Sequence, residues 1–286
     1  MECIQTTVEQ EGFHGSLFPV DNEMEKVIIT ISGSDGGMTA AEAIAEFYQA
    51  NGMAALAIGL FKTQQTGKYL DRVPLEYIER AISWLKVRGY KKIGVDAISK
   101  GTEYALTAAG KFHDISCVIV RTPSHFLSEG LGEKKNPTGT SCWSWHGKEL
   151  PFTAYKQREF EMKARIMKEK EFNILPYNSG KDIKEESLIS IEKIQAPILM
   201  FSTAADTVWP SVESCEYMME RLKNYNYTYP YEHISYKHIS HFMLPMRRIW
   251  LLKLMFRSER IYTKECQENR ADMNNRILKW VKEVWR

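Results

Sequence analysis

The chain has 286 residues, 44% of them hydrophobic and 26% charged, with 38 basic against 36 acidic side chains. These proportions exclude a disordered, collagenous or fibrous chain, and a formal charge of +2 gives no general attraction to nucleic acid. Five scattered cysteines, Cys3, Cys117, Cys142, Cys215 and Cys266, show no C-x-x-C spacing. They speak against a disulfide scaffold or structural zinc and for a reducing, cytoplasmic setting.

In chain order, KVIITISGS (26–34) is a β-branched run ending in glycine and reads as a buried strand. TAAEAIAEFYQANG (39–52) repeats its apolar residues at helical spacing, with Thr39 the expected N-cap and Gly52 the stop. The cycle recurs as strand MAALAIGL (53–60), helix LEYIERAISWLKVRG (75–89), strand KKIGVDAIS (91–99), helix EYALTAAGKF (103–112) and strand DISCVIVR (114–121). Near-continuous apolar strands alternating with helices imply an α/β fold, its mostly parallel sheet covered on both faces. Over residues 122–195 the rhythm breaks: no strand of like quality occurs, and a charged stretch, YKQREFEMKARIMKEKEF (155–172), looks helical. It resumes with strand APILMFSTAAD (196–206), helix PSVESCEYMMERLKNY (210–225) and strand TYPYEHISYK (228–237).

A long excursion between two core strands marks a lid. The expected organisation is therefore one domain, residues 1–286, with 122–195 inserted as a cap. IWLLKLMF (249–256), flanked by Arg247, Arg248 and Arg257, reads as a short core or interface helix, with a membrane-surface helix as the alternative. ADMNNRILKWVKEVW (271–285) has the pattern of a closing amphipathic helix. No run approaches the roughly 18 apolar residues of a membrane span, and MECIQTTVEQEGFHG is too polar and acidic for a signal peptide.

The third strand and its helix meet at Asp96-Ala97-Ile98-Ser99-Lys100-Gly101. A nucleophile elbow, G-x-S-x-G, needs small residues on both sides of its serine because the strand-to-helix turn brings backbone close. Ala97 stands at the first small position and Gly101 at the second. A serine before glycine is also a common helix cap, so the partners decide between the readings. In an α/β-hydrolase the acid follows a later strand and the histidine follows the last one. Asp206 ends the run PILMFSTAA, and His241 lies shortly beyond TYPYEHISYK, in the required order Ser, Asp, His. His233, inside the strand, and His238, at its end, are the rival bases; a cap before Pro210 is the rival role for Asp206.

In such a triad His241 takes the Ser99 proton and Asp206 fixes the imidazole tautomer. The oxyanion needs backbone N–H donors. Lys100 supplies one, and the loop Ser32-Gly33-Ser34-Asp35-Gly36-Gly37 the other, through Ser34 or, next to it, Asp35. That loop matches neither dinucleotide nor P-loop spacing, and the histidines lack H-E-x-x-H spacing, so neither a nucleotide cofactor nor a metal is expected.

Residues 26–286 resemble the catalytic domain of acyl-CoA thioesterases and bile acid-CoA:amino acid N-acyltransferases. The resemblance rests on Ser-Gly-Ser-Asp-Gly-Gly (32–37), Pro74-Leu75-Glu76-Tyr77, the elbow Gly94 to Gly101, Asp206-Thr207-Val208-Trp209-Pro210-Ser211, and Ser240-His241. It implies an α/β-hydrolase fold, the triad, and chemistry on a small-molecule acyl ester or thioester. The transferases it resembles carry cysteine at the elbow and the thioesterases serine, so Ser99 points to hydrolysis, with acyl transfer to an amine or alcohol, or non-catalytic binding, as alternatives. Ala97 departs from the family's elbow glycine. Longer members carry an N-terminal β-sandwich, where residues 1–25 here suggest an edge hairpin turning near Gly12-Phe13-His14-Gly15. Trp143, Trp145, His146, Phe152 and Tyr155 offer an apolar wall for an acyl chain, and Lys134, Lys135 and Lys148 an attraction for an anionic substrate; packing and solvation are the plainer roles for both sets.

Overall fold

The computed structural model describes residues 3–21, 25–178, 182–245 and 250–286. Among them, eight strands form the central sheet: β1 (Ile4–Thr6), β2 (His14–Phe18), β3 (Lys26–Ile31), β4 (Ala54–Gly59), β5 (Lys92–Ile98), β6 (Ile115–Arg121), β7 (Ile198–Thr203) and β8 (Tyr231–Tyr236). Their order is β1-β2-β4-β3-β5-β6-β7-β8. From β4 to β8 every neighbouring pair is parallel, whereas β2 runs antiparallel to β4 and β1 to β2. The first pair is the edge hairpin. Its turn is a helical one, Val8–Glu11, capped by Thr7 Oγ1 accepting from Gln10 N at 3.1 Å and ended by Gly12 at φ +80°; His14 and Gly15 already belong to β2.

Alternate residues of each strand feed opposite faces. Val27, Ile29, Ile31, Val95, Ala97 and Val118 join one core with helices Glu76–Val87, Lys100–Lys111 and Ser211–Asn224. Ile28, Ala55, Ala57, Ile119, Leu199 and Phe201 join the other, with helices Thr39–Ala50 and Thr263–Lys279. Burial on both sides is why the strands read as unbroken apolar runs rather than alternating ones.

Several local expectations shift. Thr39 is the first helical residue, not the cap; Met38 holds that place without a side-chain bond, because the chain arrives through left-handed Gly36 and Gly37 and Met38 is already at helical angles. The third helix starts at Lys100, directly behind Ser99. The last long helix begins at Thr263, and its wide final turn runs to Val284. The predicted helix over 155–172 shrinks to Met162–Glu169. Its first part is held elsewhere: Tyr155 N donates to Glu129 Oε2 (2.8 Å), Arg158 pairs with Glu129 (2.5 Å), and Phe160 N donates to Asn136 Oδ1 (3.1 Å). Lys170 at φ +52° then ends the helix, and Phe172 N bonds Met255 O (2.8 Å).

The rest of 122–195 holds strands of two to five residues, at Glu129–Leu131, Pro137–Ser141, Trp143–Trp145 and Lys148–Glu149. Of the 249–256 stretch, Trp250–Met255 is helical; Arg247, Arg248 and Ile249 lie outside the described residues. No described helix is long and apolar enough to cross a membrane.

Candidate active site

The site lies at the carboxyl ends of the parallel strands, where side chains from separate loops converge. Ser99 follows β5 directly and has φ +57°, ψ −129°, a conformation rare for a residue with a side chain. The turn is pinned on both sides, by Ser99 N donating to Arg121 O and Thr102 N donating to Ser99 O, both at 2.9 Å. Small neighbours make room for it: a Cβ on Gly33 would sit 2.9 Å from Ser99 Cβ, and one on Gly101 would collide with Ser32 O. Ala97 is fully buried within β5 and leaves the turn formed.

His241 Nε2 lies 2.8 Å from Ser99 Oγ, and its Nδ1 lies 2.9 and 3.0 Å from the two oxygens of Asp206. All three residues are buried. Asp206 Oδ1 also accepts from the backbone N–H of Val208 (2.9 Å) and Trp209 (3.2 Å). This local turn holds the carboxylate while it faces His241; Pro210, not Asp206, occupies the helix cap. Of the rival histidines, His233 bonds Ser202 Oγ at 2.7 Å, and His238 stacks on Tyr262 at 3.8 Å. Neither is brought to Ser99.

Two networks fix the histidine loop. Glu259 Oε1 accepts from Ser240 N (3.1 Å) and Ser240 Oγ (2.7 Å), and is balanced by Arg270 at 2.7 Å. Deeper in the sheet, Arg121 grips Asp96 through two bonds of 2.9 and 2.5 Å and donates a third to Met243 O (2.9 Å), while Tyr48 OH donates to Asp96 at 2.8 Å. The elbow strand and the histidine loop thus share one buried ion pair. The motif reading passed over Asp96 and Arg121, although a carboxylate inside the apolar strand KIGVDAI demands a buried partner.

A narrow cleft, open to solvent at one side, is lined by Ser99, His241, Ser34 and Lys100. Among the described residues no group accepts from the backbone N–H of Ser34 or of Lys100. The walls are mainly apolar: Leu131, Tyr155, Phe160, Phe172, Trp209 and Phe242. Of the aromatic wall suggested by the sequence, only Tyr155 lines this cleft. Trp143 is buried with its Nε1 donating to Glu103 (3.0 Å), Trp145 packs on Phe112, His146 on Trp145, and Phe152 lies beneath Lys184.

Of the three lysines Lys135 alone reaches the cleft, opposite Asp35. Burial pushes the Asp35 carboxyl up, against its own backbone N–H and the charges of Lys135 and Lys62, and burial likewise pushes the Lys135 ammonium down. Behind the elbow, Lys100 Nζ bonds Glu103 (3.0 Å) and Ser128 Oγ and faces the rings of Tyr155 and Trp209. Burial works against the Lys100 charge, yet the Glu103 carboxylate and, beside it, Tyr155 and Cys142 together raise the pKa. The described residues hold no group of three or more potential metal ligands.

The sheet order and the strand-end site define an α/β-hydrolase fold. Residues 73–247 match the family model described as "BAAT / Acyl-CoA thioester hydrolase C terminal", and the chain belongs to that family. No curated protein matches it. Solved structures share the fold at low identity. An esterase from Pyrococcus furiosus is 17% identical (TM-score 0.61; 100% of this chain, 91% of the other). A protein of unknown function from Agrobacterium tumefaciens, regarded as an α/β hydrolase, is 11% identical (0.58; 99% and 98%). MGS-M1, an α/β hydrolase from a Medee basin deep-sea metagenome library, is 18% identical (0.55; 96% and 98%).

Proposed function

We propose that this chain is a serine hydrolase that cleaves a small-molecule acyl thioester or ester through an acyl-enzyme, with 122–195 serving as the cap that shapes the acyl site. The observation that carries this reading is the unbroken hydrogen-bonded chain Asp206–His241–Ser99, ending on a strained serine inside an apolar cleft. Neutral His241 accepts the Ser99 proton through Nε2 as Oγ attacks the acyl carbonyl. Asp206, holding Nδ1–H, favours that tautomer and steadies the imidazolium. The oxyanion sits between the N–H groups of Lys100 and Ser34, which need little reorganisation to receive it. Ser34 is preferred over Asp35, whose N–H turns to its own carboxylate.

As the thiolate or alkoxide leaves, His241 returns the proton to it. Water then enters, gives a proton to the same Nε2, and attacks the ester carbonyl; Ser99 leaves with its proton restored. Family membership and the apolar walls favour an acyl thioester over a polar ester.

The test is fluorophosphonate labelling of wild type, Ser99→Ala and His241→Ala, alongside hydrolysis of a panel of acyl-CoAs and simple esters. Labelling and turnover should vanish in Ser99→Ala. Labelling that persists there would overturn the nucleophile, and a wild type that neither labels nor turns over would favour a binding role. Amide product on adding glycine or taurine would instead assign transfer.

A further inference from the structure

Away from the catalytic groups, helix Trp250–Met255 is apolar on two opposite faces. Leu252 and the following Phe256 point inward and are buried. Trp250, Leu251, Leu254 and Met255, spaced i, i+1, i+4 and i+5, form an outward stripe at 57%, 47%, 67% and 37% exposure. A stripe of this kind on a folded surface marks a contact with something else. The neighbouring helix Met162–Glu169 adds Met167, 80% exposed, and the two segments are tied by Phe172 N to Met255 O and by Arg260 Nη2 to Lys170 O (2.9 Å).

Charge identifies the partner. Residues 165–171 and 250–262 carry six basic and three acidic side chains. Two acids are already engaged: Glu169 pairs with Arg165, and Glu259 is buried against Arg270. Glu171 accepts from Arg257 N and stands against Lys168, Lys170, Lys253, Arg257 and Arg260. Apolar side chains interleaved with long cations suit the boundary of an anionic bilayer, where the stripe enters the acyl region and the cations meet headgroups. A second copy fits less well, because self-pairing of this face would bring like charges together. The stripe lies one layer from the cleft, since cleft-lining Phe172 packs on Phe256 at 6.0 Å between ring centres.

We propose that Trp250–Met255 and its basic flank are a docking surface for anionic lipid, setting the cleft beside a store of acyl substrate. The experiment is cosedimentation of the full chain with vesicles of phosphatidylcholine alone or mixed with phosphatidylglycerol. A companion variant, Trp250→Ser/Leu254→Ser, is checked for unchanged circular dichroism and unchanged turnover of a short soluble ester. Wild type should sediment with the anionic vesicles, lose that binding about tenfold in the variant, and lose it again as salt rises from about 0.1 to 0.5 M.

Equal sedimentation of variant and wild type, or none by either, would overturn the proposal. So would a wild-type dimer that the variant abolishes, which would assign the stripe to a second copy. Binding is read without turnover: an active enzyme that fails to sediment counts against this surface alone, and a sedimenting protein without activity counts against the hydrolase reading alone.

Discussion

The central sheet and residues 122–195 are stabilised by different physics. In the sheet, β3, β4, β6 and β7 are nearly all buried, and their backbone groups are spent on ladders that are parallel except where β4 meets β2. Burial of apolar surface carries that half. In 122–195 the strands are short, and side-chain carboxylates collect the backbone instead. Glu129 takes the N–H of Gly139 and Tyr155, Glu149 that of Ser141, and Glu103, from the helix beneath, that of Ser128 (3.0 Å). A rigid frame thus presents Ser99, Asp206 and His241, while the wall facing them is held by polar bonds that single substitutions can release.

The strongest way to break that comparison lies on the sheet side. Asp206→Asn should lower kcat by about 10⁴-fold with little change in melting temperature, because the geometry survives and the tautomer does not. Steady-state kinetics beside thermal unfolding check it; a large loss of stability would mean that the carboxylate is structural. Next comes Glu103→Ala, which strips Lys100 of its buried partner and Ser128 and Trp143 of their acceptor. A loss of about 3–5 kcal/mol in urea unfolding is expected, with hydrogen exchange rising over 122–195 before the sheet strands.

A pH test sharpens the contrast further. His125, bonded to Ser214 at 3.0 Å and packed on Tyr217, has its pKa pushed down to about 4 by burial. The unfolded chain takes up its proton near pH ~6.5 and the folded one only near 4, so this contribution is full above pH ~6.5 and disappears as pH falls toward 4. Between those limits about 3 kcal/mol should be lost in wild type and retained in His125→Gln, read from urea midpoints. The smallest effect is expected from Ala97→Gly. Restoring the elbow glycine should cost about 0.5–1 kcal/mol of strand stability and leave kcat within about threefold. A large rise in kcat would instead mean that Ala97 crowds the turn.

Legibility follows the same division. The strands at 26–31, 92–98 and 198–203 are legible because two-sided burial forces unbroken apolar runs. Ser99 and Asp206 each follow the end of such a run, whereas His241 follows the mixed, half-exposed last strand and is marked only by its place in chain order. The stretch 155–172 misled because its helical period is genuine, yet Glu129 and Asn136 bid for its first backbone groups and won. Trp143, for which the sequence leaves both a substrate wall and plain packing open, is core, since its indole N–H meets a buried carboxylate 40 residues away in sequence.

The amino-acid sequence by itself determined the α/β alternation, the tight strand-to-helix turn at Ser99 and the placing of Ser99, Asp206 and His241 after successive strands, because those depend on local period and on small residues at a tight turn. Only the tertiary structure decided which histidine meets Ser99, which aromatic residues line the cleft, and that Arg121 joins Asp96 to Met243 across 122 residues of chain. Contacts of that kind form between residues far apart in the chain, and nothing in the local pattern of either partner encodes the other.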